Sequence, residues 1–150
     1  MLVGLVVGQT CDLTTLVKRF VGDKEDLMSK MVVDDDFNFY VAASTYSTGM
    51  SHGKLDGLIL RFDSNAHLIW GKFFGAEEEE EMKDIAVTDD VFTVGQSNSP
   101  ALNLGGVRDV FAMKLLKEDG SMVWTTGFGG DDYEEATSVE ADEQFVYIGG

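Results

Sequence analysis

Phe74-Gly75 returns as Phe128-Gly129, 54 residues further on, and Val21-Gly22 stands at the corresponding place one copy earlier. Trp70 precedes Phe74 by four positions, and Trp124 precedes Phe128 by four. After each glycine come an acidic stretch and two short apolar segments. The second of these reads Phe39-Tyr40-Val41-Ala42, Phe92-Thr93-Val94-Gly95 and Val146-Tyr147-Ile148-Gly149. A period of this length restricts the fold to one supersecondary unit stacked on copies of itself, because no single copy can bury its apolar face alone.

Local patterns divide the copy from Met82 to Gly129 into four strands. Ile85 and Val87 alternate with Asp84, Ala86 and Thr88, as in a half-buried strand. Asp89-Asp90 supplies a turn, and Val91 to Val94 is β-branched and aromatic. Ser97 to Gly106 carries Asn98, Pro100, Asn103 and Gly105 and reads as a loop. Phe111, Met113 and Leu115 alternate along a third strand, Asp119-Gly120 turns the chain, and Met122 to Thr126 is the fourth strand.

The preceding copy follows the same order. Met31 and Val33 match Ile85 and Val87. Leu58, Leu60 and Phe62 match Phe111, Met113 and Leu115, and Arg61 matches Lys114. Two further strands begin near Val139 and Phe145. At the start, Leu5 to Thr10 matches Phe92 to Ser97, and Val17 to Gly22 aligns with Trp70 to Gly75. The short spacing between them lacks one strand and its loop.

Four antiparallel strands per copy, short turns and no helix signal describe the blades of an all-β propeller. The predicted divisions are a partial blade at 1–22, blades at 23–75 and 76–129, and the first half of another at 130–150. Propellers close with about four to eight blades. The chain therefore reads as a propeller fragment whose first partners are the remaining blades, with self-assembly of short chains into a ring as the alternative. A linear β-solenoid fits less well, since its repeats usually run below about 30 residues.

The segments Gly105-Gly106-Val107-Arg108-Asp109-Val110-Phe111-Ala112-Met113-Lys114, Asp119-Gly120-Ser121-Met122-Val123-Trp124 and Phe128-Gly129-Gly130 together resemble the SBBP (seven-bladed beta-propeller) repeat. The likeness runs from Gly22 to Gly150. The earlier copy differs at Ala42, at Ala76 and in Asp56-Gly57-Leu58. The resemblance implies a secreted or cell-surface repeat scaffold without a common activity. Quinoprotein-type propellers share the Gly-x-x-x-Trp strand end, so the alternative is an enzyme with its site on the central axis.

The chain carries 27 acids against 11 Lys and Arg, a formal charge of −16. That balance opposes nucleic acid and anionic membrane surfaces, and favours cations or a basic protein partner. No apolar run approaches the roughly 18 residues of a membrane span. Cys11 is the only cysteine, so no internal disulfide can form.

The acids fall in register. Asp23, Glu77 and Asp131 share one position, and Asp26, Glu80 and Glu134 another. Each set lies in a link between blades, on the face that also holds the loops 44–56 and 97–108. The expectation is an acidic rim that binds a cation or a basic partner; the run Glu77 to Glu81 otherwise reads as a solvated loop. Asp34-Asp35-Asp36-Phe37-Asn38 alternates oxygen ligands as calcium loops do, but lacks their glycine and their closing glutamate.

Trp70 and Trp124 read as inter-blade core, Met31, Met82 and Met113 as gap-filling core, and Asp56 and Asp109 as aspartates bonding a neighbouring turn. His52 and His67 are not repeated and read as solvated. No catalytic triad order, metal-ligand spacing or phosphate loop is present, so neither catalytic residues nor a cofactor are predicted. The complete blades look equivalent, which favours a scaffold over an enzyme; a purely structural spacer is a third reading.

Overall fold

The computed structural model describes residues 2–6, 16–20, 23–47, 54–101 and 107–150, the first two segments by backbone pairing. Cys11, Val21-Gly22, His52 and Gly105-Gly106 lie outside the described residues.

The described chain is all-β, twelve strands in antiparallel sheets. β1 (Leu2–Val6) pairs with β2 (Leu16–Phe20). β3 (Asp26–Val33), β4 (Phe39–Thr45), β5 (Asp56–Phe62) and β6 (Leu68–Phe74) form a four-stranded sheet in chain order. β7 (Glu80–Val87), β8 (Asp90–Ser97), β9 (Asp109–Leu116) and β10 (Met122–Phe128) form a second. β11 (Ser138–Ala141) pairs with β12 (Val146–Gly149). Asp90, read as a turn residue, instead opens β8 opposite Leu116.

The two complete sheets stack face to face. Tyr40, Ala42, Ile59 and Trp70 of the first meet Met82, Ile85, Val91, Phe111, Met113 and Leu115 of the second in one buried cluster. Phe92, Val94, Val110 and Ala112, on the opposite face of the second sheet, receive Ala136 and Val139. Each large side chain so buried contributes about 1.5–3 kcal/mol.

A recurring aromatic cluster corrects the sequence alignment by one residue. Tyr40 lies edge-on to Trp70 with centroids 6.4 Å apart, and the Arg61 guanidinium stands 5.5 Å from the Tyr40 ring. Phe92 lies 6.5 Å from Trp124, with the Lys114 ammonium 5.5 Å from its ring. Tyr40, not Phe39, is therefore the counterpart of Phe92. The chain turns through 34–38 between β3 and β4, but through Thr88-Asp89 alone between β7 and β8, and the longer turn shifts the second strand.

The glycine of each Phe-Gly pair has a steric cause. The carboxylates of Asp56 and Asp109, both fully buried, occupy the space that a Cβ on Gly75 or Gly129 would need. These aspartates open β5 and β9 and sit against the ends of β6 and β10.

β1 differs from its sequence match. Read as a second strand, it pairs directly with β2, the equivalent of a fourth. It also lies against β3 as β5 lies against β7, so its position is that of a third strand.

Candidate functional site

The links between sheets lie beside the loops of the sheet just left. The Glu80 N–H donates to the Leu55 carbonyl (2.6 Å), and the Glu134 N–H to the Arg108 carbonyl (2.8 Å). Leu55 bridges Glu79 in parallel, and Arg108 bridges Tyr133 in the same way.

On this face the two sets of acids part company. Asp26 and Glu80 are buried and Glu134 is half-buried, whereas Asp23, Glu77 and Asp131 are exposed. The Asp26 carboxylate accepts from the Thr45 hydroxyl (2.6 Å), and the Glu80 carboxylate from the Ser97 hydroxyl (2.8 Å) and the Ala76 N–H (2.7 Å). Glu134 accepts from the Gly130 N–H (3.2 Å), the same bond one copy on. The hydroxyls continue the chain: the Ser47 N–H donates to Thr45 and the Ser99 N–H to Ser97. The Ser47 and Ser99 hydroxyls accept in turn from the Lys24 and Glu78 N–H groups. The second acidic set is thus an internal tie that fixes each link, and the rim contracts to Asp23, Glu77 and Asp131.

Nor is the run Glu77 to Glu81 a solvated loop throughout. Glu78 pairs with Lys54, and Arg108 reaches Glu79 (3.2 Å) and Glu81 (3.5 Å). Glu81 also holds Lys83 (3.0 Å), which reaches Glu135 (2.9 Å), and accepts from Gln96 Nε2 (2.8 Å). Burial pushes the Glu81 carboxyl up, but bonds from Lys83 and Gln96 and the Arg108 charge outweigh it and leave its pKa below the ordinary value. The sequence reading placed Arg108 only at the end of a loop flanking the acids, and gave Lys83 and Gln96 no role. Arg108 takes the place that Leu55 holds one copy earlier, and a charge replacing an apolar repeat position is the signal that could have found it.

At the opposite end of the sheets the Asp34 carboxylate is occupied by the protein. It accepts from the N–H groups of Asp36 (3.0 Å) and Asn38 (2.9 Å), the Asn38 side chain and the Tyr40 hydroxyl (3.0 Å), and pairs with Lys117 (3.1 Å). Burial raises its pKa and these bonds lower it further, to about 2. The run is an aspartate-capped hairpin turn, and no group of three metal-ligating side chains occurs among the described residues. Asp142 caps the β11–β12 turn likewise, with Tyr147 donating to it (2.9 Å). His67 caps nothing; it is exposed and bonded to Asp63 (3.0 Å).

The first strands β3, β7 and β11 run side by side. One register position along them carries Lys30, Asp84 and Ser138, three different polar residues. The Asp84 carboxylate accepts from the Val139 N–H (2.9 Å) and faces the Lys30 ammonium at 3.8 Å. The sequence reading, which saw equivalent copies, overlooked this difference.

No family model matches the chain, and no curated protein matches it.

Proposed function

We propose that the chain is part of a β-propeller of the SBBP repeat kind and serves as a non-enzymatic scaffold, at the cell surface or secreted, that binds a basic protein or ligand. The observation that carries this reading is the exposed acid repeated at one place on each link, Asp23, Glu77 and Asp131, above a tie that holds the link rigid. Fixed charges of one sign at regular intervals attract a partner with little ordering cost.

Replacing Asp23 and Asp131 with Asn and Glu77 with Gln tests it, with an oligolysine peptide as probe and calorimetry as readout. Exposed pairs contribute about 0.2–1 kcal/mol each, so the triple variant loses about 0.6–3 kcal/mol and should bind about threefold to a hundredfold more weakly at low salt. Unchanged affinity sinks the rim.

A quinoprotein-like enzyme is the second reading. Lys30, Asp84 and Ser138 favour it, because a site on the axis of a propeller would draw on unrepeated polar residues of the first strands.

A further inference from the structure

We propose that the neighbouring first strands β3, β7 and β11 hold a binding site for a neutral polyol, one ring of a carbohydrate, centred on Asp84 and Lys30. The site stands on those three strands alone and needs neither the acidic rim nor the propeller reading.

At this place the framework repeats and the side chains do not. The register of β3 slips between Met28 and Lys30, and that of β7 slips between Met82 and Asp84. A bulge of this kind re-aims the side chains beside it, and such bulges gather next to binding and active sites. Here it aims a base on one strand and an acid on the next, from a single repeat position. The bulge forms with either residue, so the packing of the sheets does not dictate which one stands there.

Asp84 is held in place but not satisfied. It is 8% exposed, and its Oδ2 accepts from the Val139 N–H (2.9 Å), which orients the carboxylate. Its Oδ1 is buried and accepts no hydrogen bond among the described residues. Buried polar atoms are normally bonded, so this oxygen calls for a partner. The Lys30 ammonium stands 3.8 Å from Oδ1. That is too long for a hydrogen bond, yet short enough for one oxygen to reach both groups at about 2.8 Å. Lys30 and Asp84 line a cavity of about 210 Å³ with Glu140 of β11 and the apolar Val33, Val87 and Ala141.

Charge selects the occupant. Asp84 and Glu140 repel an anion. Lys30 repels a metal ion, and the described residues bring no three metal-ligating side chains together. A hydroxyl meets both central groups at once, because it donates to a carboxylate oxygen and accepts from an ammonium. A neighbouring hydroxyl of the same ring has Glu140 as its acceptor, and the valine and alanine side chains face its C–H surface. The cavity is smaller than the roughly 300–1,000 Å³ of pockets for drug-sized ligands, so it takes a single small ring.

The test follows the amide resonances of the isotope-labelled chain as D-mannose, D-galactose or D-glucose is added, with sodium phosphate, calcium chloride and n-butylammonium chloride as rival probes. One of the sugars should shift the Asp84 and Val139 signals saturably, with a Kd of about 1–10 mM. Lys30→Met keeps the half-exposed stem, removes the ammonium, and should weaken that sugar about tenfold to a hundredfold. Asp84→Asn should weaken it at least about threefold, since a neutral acceptor bonds a hydroxyl less strongly. The variant with Asp23, Glu77 and Asp131 neutralised should bind the sugar unchanged, which separates this site from the rim. No saturable shift with any of the sugars overturns the site, and so does unchanged affinity in Lys30→Met or lost affinity in the rim variant. Shifts at Asp84 produced only by butylammonium, calcium or phosphate overturn the polyol and show an ion in its place.

Discussion

At Asp34 one carboxylate fastens a whole turn, and the linkage between charge and folding can be worked out there. Its folded pKa of about 2 lies below the ordinary 3.8. The folded state gains from the ionised form wherever the pH exceeds about 4, and loses that gain as pH falls through about 2. Asp34→Asn should destabilise the chain by about 1–3 kcal/mol at neutral pH. Urea midpoints taken from pH 5 to pH 2 should fall less steeply in the variant than in the unmutated chain; parallel curves would show that Asp34 is not the titrating group. The sequence displayed these oxygens but not their use. Asn38 and Tyr40, close enough along the chain to reach back, were the readable clue that the aspartate is satisfied internally. The left-handed φ of 62° at Phe37 was not readable, because nothing in a phenylalanine announces that conformation. Gly120, with φ 71°, was readable, and Ala66 adopts φ 58° at the corresponding turn without a glycine to mark it.

Among the elements, the fourth strands expose how burial depends on what comes next. Trp70 and Trp124 occupy one repeat position, yet only Trp70 donates its indole N–H to the Lys117 carbonyl, 3.1 Å away on the next sheet. Trp70→Ala should cost about 3–5 kcal/mol and Trp124→Ala clearly less, about 1–2 kcal/mol, in urea denaturation. Equal losses would mean that the sheets do not stack in this order. Strand positions were legible because apolar alternation and turn residues agree over both complete copies. The second strand slipped by one residue because Phe39 resembles Phe92 in type, whereas the neighbours Trp70 and Arg61 select Tyr40. Only a cross-strand contact could decide that, and sequence similarity carries no such contact. The same limit hid the split between Asp26 and Asp23: both are acids three residues apart, and it is the fold that buries Asp26 against the hydroxyls of Thr45 and Ser47 while leaving Asp23 exposed.

Over the whole molecule, 27 acids against 11 bases make the folded state repel itself. Raising sodium chloride from about 0.02 M to about 0.5 M, which shortens the screening length from about 20 Å to about 4 Å, should raise Tm by a few degrees, on the order of a 1 kcal/mol gain. A Tm that falls would show that the pairs around Glu81 and Asp34 outweigh the surplus negative charge. The parallel bridges from Leu55 to Glu79 and from Arg108 to Tyr133 carry one more consequence. At both of these links the segment that leaves one sheet is buttoned to it before entering the next, so neither link is a loose seam where the chain could be cut into autonomous pieces. Inserted domains or tags belong at the hairpin tips around Asn65 and Glu118, because a graft into 76–80 would undo two sheets at once.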